Sequence, residues 1–241
     1  MTISTIDNSQ RTAAKVVGFT YLFAMATSVF GFYARAHLIV PGNAAVTAHN
    51  IMASERLFRL GIASDLATFV TDIVLIAALY TVLRPINRSL ALVAAFWRLM
   101  ETATLVVSTL SCLDVLRLLS GADYLRVFEA DRLYALARLS IGALGAGYNV
   151  GFVFLGLGSA VFSYLWLKSG YVPGALAVLG VFGSLLLAAS TFAFIIFPDL
   201  TRILAPWYMA PIGIFEVTMG GWLLLRRLRP SGTAQPVQTG G

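Results

Sequence analysis

Residues 172–197 read VPGALAVLGVFGSLLLAASTFAFIIF, an apolar run without a charged side chain. The hydrocarbon core of a bilayer is about 30 Å thick, so a helix needs about 20 apolar residues to cross it. Membrane strands are instead segments of about ten residues with alternating polarity, a pattern that is absent from this run. The stretch therefore predicts a transmembrane helix, and with it an all-α membrane fold.

Five other runs in the chain share this length and character. Together the six predicted transmembrane helices cover residues 12–34, 57–83, 89–118, 139–167, 172–197 and 206–225. We interpret 12–225 as one six-span transmembrane domain, preceded by a short N-terminus at 1–11. The tail at 226–241 is rich in Gly, Thr, Gln and Pro, a composition that predicts disorder. The first run is too long for the apolar region of a cleaved signal peptide, so we expect it to be retained.

The composition supports a polytopic membrane helix bundle. Of the 241 residues, 59% are hydrophobic and 12% are charged, whereas soluble domains are about 45–50% apolar and about 25% charged. The net charge of +6 does not indicate nucleic acid as a partner, because the basic residues are spread singly or in pairs between apolar runs. The lipid bilayer is the partner that the composition implies.

Six spans place both termini on one side of the membrane. The number of Lys and Arg residues does not decide the orientation of the chain, because eight lie on each side of the membrane. They are denser on the terminal side, in short turns and chain ends that contain only one acid, Asp7. Basic residues in short loops favour the cytoplasm, so we expect both termini to be cytoplasmic.

Two segments of the long outer loops have helical patterns. Asn43–Ala53 carries small apolar residues, and Tyr124–Tyr134 alternates charged with apolar side chains at helical spacing. We expect both to form short helices that lie along the membrane interface. Solvated loop helices are the alternative.

Several charged residues fall inside the predicted spans, where each costs about 2.5–3.5 kcal/mol and usually faces a partner or a water-filled cavity. Counting along the helices from the terminal side places four of them in one layer, ~13–18 Å deep. This intramembrane polar layer consists of Asp72, Arg98, Glu101 and Glu216. Arg98 can meet Asp72 across a helical hairpin, and it can pair with Glu101 at i,i+3.

A second polar layer is predicted nearer the outer face. Asp65, Ser108 and Asn149 lie ~27–28 Å along their helices. Asp65 and Asp72 are two turns apart and share a helix face. A proton or cation path requires such a ladder of carboxylates.

The charge count leaves two interpretations open. Three acids of the inner layer share one arginine, so part of them must be protonated, hydrated or cation-bound. In the first interpretation the layer is a working ion or proton site. In the second, Arg98 bridges Asp72 and Glu101 as a static polar lock.

Glycines mark the fourth span. Gly147 and Gly151 have the GxxxG spacing that allows a neighbouring helix to approach closely. We expect them to pack helices within the bundle, with a homo-oligomer face or a membrane partner as the alternative.

Motifs of cofactor chemistry are absent. There is no nucleotide-binding glycine pattern, no zinc protease motif and no serine hydrolase motif. The one cysteine, Cys112, lies in an apolar run, and His37 and His49 lie in one loop. We therefore expect no cofactor, no metal site and no catalytic residue.

Five segments carry a resemblance to a known family. They are residues 54–65 (SERLFRLGIASD), 78–91 (ALYTVLRPINRSLA), 98–101 (RLME), 151–158 (GFVFLGLG) and 164–173 (YLWLKSGYVP). In this order they resemble the bacterial membrane family catalogued as domain of unknown function 4386, over roughly residues 10–225. The resemblance implies a multi-pass protein of the bacterial inner membrane and brings no activity or catalytic residue with it.

Function therefore depends on the buried charges. The first hypothesis is a transporter or channel-like protein whose polar layer moves protons, a cation or a small solute. The second is a non-catalytic structural or regulatory membrane protein in which the same charges set helix registry. A membrane enzyme acting on lipid-like substrates has less support, because the acids lack histidine or cysteine companions.

Overall fold

The computed structural model describes residues 7–205, 207–226 and 228, and this part of the chain is helical without strands. Eight α-helices follow one another: α1 (Asn8–Ala36), α2 (Ala44–Ala53), α3 (Glu55–Leu83), α4 (Arg88–Leu118), α5 (Ala130–Ser169), α6 (Gly174–Ile196), α7 (Leu200–Leu204) and α8 (Ala210–Leu225). Single turns of 3-10 helix lie at Asp123–Leu125 and Trp207–Met209. Six of the described helices are long and apolar enough to cross a membrane, which confirms the predicted fold class.

Local sequence signals set several helix ends. Asp7 caps α1, where its side chain accepts from the backbone N–H of Gln10 and the Gln10 side chain accepts from the N–H of Asp7. Asn87 caps α4 by accepting from the N–H of Leu90. Gly170 ends α5 with a φ of 65°, in the left-handed region that glycine adopts without strain.

The six long helices form a closed ring in chain order. Each packs against the next, α1 on α3, α3 on α4, α4 on α5, α5 on α6 and α6 on α8, and α8 returns to α1. The short helix α2 rests against α5. We call the end with the turns at 84–87 and 170–173 the inner end, and the end with α2 and the loop at 119–129 the outer end. An apolar cluster fills each end.

Glycines allow the ring to close. An added Cβ at Gly18 of α1 would lie 2.9 Å from the carbonyl oxygen of Gly220 on α8. At Gly183 of α6, an added Cβ would lie 2.7 Å from the backbone nitrogen of Ile212. The helices therefore touch through their backbones at these crossings.

The outside of the ring presents large apolar side chains. Phe19, Val70 and Phe182 are 59%, 66% and 57% exposed. Such a surface on every side is unsuited to water and fits lipid tails.

Some helix ends differ from the sequence prediction. The segment Tyr124–Tyr134 is not a separate helix, because its first part is a 3-10 turn and its second part begins α5. At 40 residues α5 is ~60 Å long, so it extends beyond a bilayer core. The other predicted loop helix, Asn43–Ala53, is present as α2. Residues 1–6 of the predicted N-terminus, Pro206, and nearly all of the predicted disordered tail at 226–241 lie outside the described residues.

Candidate functional site

Arg98 on α4 lies at the centre of a buried charge cluster. Its Nη2 lies 3.4 Å from Oδ1 of Asp72 on α3, and its Nη1 lies 3.3 Å from Oε2 of Glu101 on its own helix. Arg98, Asp72 and Glu101 are only 3%, 6% and 2% exposed. One guanidinium therefore faces two carboxyl groups inside the membrane-spanning part of the protein.

These contacts are loose for charged groups. Charge-assisted N–H to carboxylate bonds are usually about 2.7–2.9 Å long, whereas both contacts here exceed 3.2 Å. Arg98 Nη1 and Glu101 Oε2 are buried and have no hydrogen-bond partner within the described part of the chain. One donor nitrogen of Arg98 and one acceptor oxygen of Glu101 are thus left without a hydrogen bond.

Glu216 on α8 brings a third carboxyl to the cluster. It interacts electrostatically with Arg98 and Asp72, yet no described residue donates a hydrogen bond to it or forms an ion pair with it. Its side chain is half-buried, in contrast to the other two acids. All four residues of the predicted inner layer are therefore placed near one another, and Glu216 alone lacks a direct partner among the described residues.

Tyr21 on α1 is a member of the cluster that the sequence reasoning missed. Its ring packs edge-on against Phe215, with centroids 6.2 Å apart. Its hydroxyl group lies within electrostatic range of Glu216, Arg98 and Asp72. A tyrosine in an apolar span is not conspicuous, and its depth along α1 was the only signal that could have placed it there.

A glycine on α5 admits Arg98 to this position. An added Cβ at Gly158 would lie 2.8 Å from Cγ of Arg98 and 3.0 Å from the carbonyl oxygen of Ala94. The alkyl part of the Arg98 side chain therefore packs against α5 at Gly158, where α5 has no side chain. Gly158 positions the guanidinium without touching it.

A second ion pair lies towards the outer end. Arg35 on α1 pairs with both carboxyl oxygens of Asp65 on α3, and the Nη2–Oδ1 distance is 3.2 Å. Their side chains are 10% and 3% exposed. Tyr148 on α5 and Cys112 on α4 interact electrostatically with this pair. Four helices therefore surround it.

Arg35 lies one residue beyond the predicted first span at 12–34, and it was not predicted as the partner of Asp65. A usable signal was present, because Gly31 precedes Arg35 by four residues and Gly61 precedes Asp65 by four. An added Cβ at Gly61 would lie 3.2 Å from Cβ of Ala34, so α1 and α3 approach closely there. An added Cβ at Gly31 would collide with the Asp65 carboxylate itself.

The residues of the predicted outer layer, Asp65, Ser108 and Asn149, form no hydrogen bond or ion pair with one another in the described part of the chain. Asp65 is occupied by Arg35. The Ser108 hydroxyl donates to the carbonyl oxygen of Thr104 on its own helix. Asn149 is half-buried, and no described residue forms a hydrogen bond with its side chain.

The two glycines of the predicted packing motif both face α4. Gly147 lies against the side chain of Ser108, and Gly151 lies against Leu105, whose Cδ2 would be 2.9 Å from an added Cβ. This face of α5 is therefore packed against α4 within the chain.

Threonines connect the two charged clusters along α1 and α3. The hydroxyls of Thr27 and Thr68 are 2.7 Å apart. Thr68 lies between Asp65 and Asp72 on the same face of α3, and all three residues are buried. Polar side chains thus run from the outer pair towards the inner cluster.

Metal ligands do not converge in the described residues, where no three His, Cys, Asp or Glu side chains are grouped to hold a metal ion. The acids of the inner cluster lie close to Arg98. Its positive charge would repel a divalent cation bound at these oxygen ligands.

Comparison with known proteins assigns the family. The family model described as Domain of unknown function (DUF4386) matches residues 16–226. The chain belongs to this family. The match covers most of α1 and all of the other five long helices of this DUF4386 protein, which is an integral membrane protein. No curated protein and no solved structure matches the chain.

Proposed function

We propose that the cluster of Tyr21, Asp72, Arg98, Glu101 and Glu216 is a proton-binding site through which this membrane protein moves protons. The observation that carries the proposal is the placement of Glu216, a half-buried carboxyl group that is electrostatically coupled to buried Arg98 and forms no hydrogen bond or ion pair with any described residue. A small cation bound at the same carboxylates is the nearest variant of this function.

The charge balance of the cluster supports proton binding. Three carboxyl groups surround one guanidinium, so full ionisation would leave two uncompensated negative charges inside the membrane. A buried charge without a partner costs several kcal/mol. At least one of the three carboxyls therefore carries a proton or a cation, and this occupancy is what a transport cycle would change.

Glu216 is the best candidate for the exchanging group. Asp72 and Glu101 are held by Arg98, whereas Glu216 is more exposed and has no direct partner among the described residues. In our proposal, water on one side gives a proton to the Glu216 carboxylate. The proton later leaves to water on the other side, and Arg98 stays positive throughout. The Tyr21 hydroxyl can both donate and accept along this route.

The outer ion pair bears on access from the outer end. Arg35 and Asp65 fill the space between α1 and α3, and the Thr27–Thr68 contact lies beyond them towards the inner cluster. A proton entering from the outer end would have to pass this pair. We propose that the described conformation is closed on the outer side.

The test is pH-driven proton flux in proteoliposomes with purified protein. Flux is expected in the wild type and is expected to fall to background in Glu216→Gln, which keeps the shape of the side chain and removes its exchangeable proton. Glu129→Gln, an exposed acid of the outer loop, is the matched control and should leave flux unchanged. Folding of each variant is followed by gel filtration.

An infrared titration gives a second readout that does not depend on transport. A protonated carboxyl band should appear in the wild type as pH falls, and it should be reduced in Glu216→Gln. Absence of wild-type flux together with an unchanged band in this variant would contradict the proposal.

A structural function is the second candidate, and the contacts of Arg98 favour it. Arg98 joins α3 to α4 and crosses α5 at Gly158, so it can fix the registry of three helices. In that case Asp72→Asn and Glu101→Gln would unfold the bundle while no variant would change a flux. The proteoliposome and gel filtration data separate the two functions.

We propose that the protein lies in the bacterial inner membrane with its inner end in the cytoplasm. The described basic residues of that end form no ion pairs, whereas five outer arginines each pair with an acid three or four residues away. The position of the inner basic residues supports the cytoplasmic side, because Lys and Arg in short turns and near the ends of spans favour the cytoplasm.

Labelling of intact cells with a membrane-impermeant maleimide tests this orientation. A cysteine placed at exposed Arg126 of the outer end is expected to react in intact cells, and one placed at exposed Lys168 of the inner end only after lysis. The native Cys112 is 1% exposed and provides a low background. The reverse pattern would show that the inner end faces outward.

A further inference from the structure

A groove runs along the lipid-facing side of α1 and α3 at the inner end. The part of the groove nearest the inner end has a volume of about 560 Å³. It is lined by Asn8, Ser9 and Thr12 of α1 and by Ala77 and Thr81 of α3. A second part of about 510 Å³ shares Thr12, Val16 and Val74 with the first and continues towards the bilayer centre. The two parts form one shallow groove that is open to the lipid.

The groove has the polarity of a phospholipid. Its inner end is polar, with Asn8, Ser9, Thr12 and Lys15. Further along, its walls are Phe19, Phe23 and Val70. The eleven helical steps from Thr12 to Phe23 span ~16 Å, which is close to half of a bilayer core ~30 Å thick. A headgroup and one acyl chain of a single leaflet therefore fit its length.

The packing of α1 and α3 explains why the space exists. The two helices approach closely in their outer half, at Gly31 and Gly61, and at the Thr27–Thr68 contact. At the inner end they are joined again by Gln10, whose side chain donates to the carbonyl oxygen of Val82. Along the inner half of α3, the residues that face the groove include the small side chains of Ala77 and Ala78. These side chains do not fill the space beside α1, so the groove remains open.

The basic residues at the inner end of the groove favour an anionic ligand. Lys15 lines the groove, Arg11 lies one turn before it, and both are exposed. Neither forms an ion pair with a described residue. The one acid at this end, Asp7, accepts the backbone N–H of Gln10 in its helix cap. Basic pockets between transmembrane helices commonly bind anionic headgroups.

We propose that this groove is a binding site for one phospholipid with an anionic headgroup, whose phosphate lies at Lys15 and whose acyl chain lies along Phe19 and Phe23. The site is separate from the charge cluster around Arg98, and the inference does not depend on proton transport.

Native mass spectrometry tests the site. The protein is released from nanodiscs that contain equal amounts of phosphatidylglycerol and phosphatidylcholine with identical acyl chains. One retained phosphatidylglycerol molecule is expected for the wild type. In Lys15→Gln the preference for phosphatidylglycerol should fall about fivefold, the effect of one lysine at an anionic surface.

The chain offers a matched control, because its two lysines both lie at the inner end. Lys168→Gln, on α5 and outside the groove, should leave the preference unchanged. Ala77→Phe fills the groove from an exposed position and should reduce retention of both lipids. Equal losses in Lys15→Gln and Lys168→Gln, or no headgroup preference in the wild type, would overturn the proposal.

Discussion

Replacing Arg98 with methionine is expected to destabilise the helix bundle by about 3–5 kcal/mol, the usual cost of removing one partner from a buried ion pair. Methionine fills the space beside Gly158 that the alkyl part of Arg98 occupies. The loss of stability therefore comes from the missing charge and not from a cavity. Asp72 and Glu101 would then be buried without a cation. The measurement is the free energy of unfolding in mixed detergent micelles.

Two further variants isolate the cause. In the triple variant Arg98→Met, Asp72→Asn, Glu101→Gln, most of the stability should return, because Glu216 is then the one acid left in the cluster and it can bind a proton. Arg88→Met, on the same helix at an exposed position without an ion pair, should change stability by less than about 0.5 kcal/mol. A triple variant as unstable as the single one would mean that Arg98 acts through packing.

The Arg35–Asp65 pair is expected to show the largest coupling between two side chains in the protein. Arg35→Met and Asp65→Leu should each destabilise the bundle by about 3 kcal/mol or more, since each leaves a buried charge alone. The double variant should lose far less than the sum, because two apolar side chains replace the pair. A double-mutant cycle on unfolding free energies measures the difference.

The exposed pair Arg59–Glu55 provides the control on the same helix. Its side chains are 57% and 51% exposed, and exposed pairs are worth about 0–1 kcal/mol. A coupling for Arg35 and Asp65 no larger than that of the exposed pair would show that water reaches the outer cluster. The outer side of the bundle would then be open, against our proposal for the closed conformation.

The number and type of membrane helices followed from sequence, because they depend on local properties. Run length decides whether a segment crosses the bilayer, and each span satisfies its own backbone hydrogen bonds. The proximity of Arg98 to Asp72 and Glu101 was predictable for a related reason. A four-residue joint forces α3 and α4 together, and i,i+3 spacing places Glu101 beside Arg98.

Partners on helices distant in the chain were not predictable in this way. Depth along a helix can be counted, but the rotation of a helix about its axis and its offset against a neighbour depend on packing. Counting depth along the helices placed Asp65 in one layer with Ser108 and Asn149. In the structure, α1 and α3 approach closely, and Asp65 therefore pairs with Arg35.

The sequence by itself determined a six-span bundle and an excess of acids over arginine in its membrane interior, because hydrophobicity and charge are properties of each segment alone. Only the tertiary structure decided which side chains share that interior. Ring closure between α8 and α1 brings Tyr21 and Glu216 to Arg98, and Gly158 leaves the space that Arg98 fills. Those placements arise from backbone contacts between helices far apart in the chain, which no local pattern encodes.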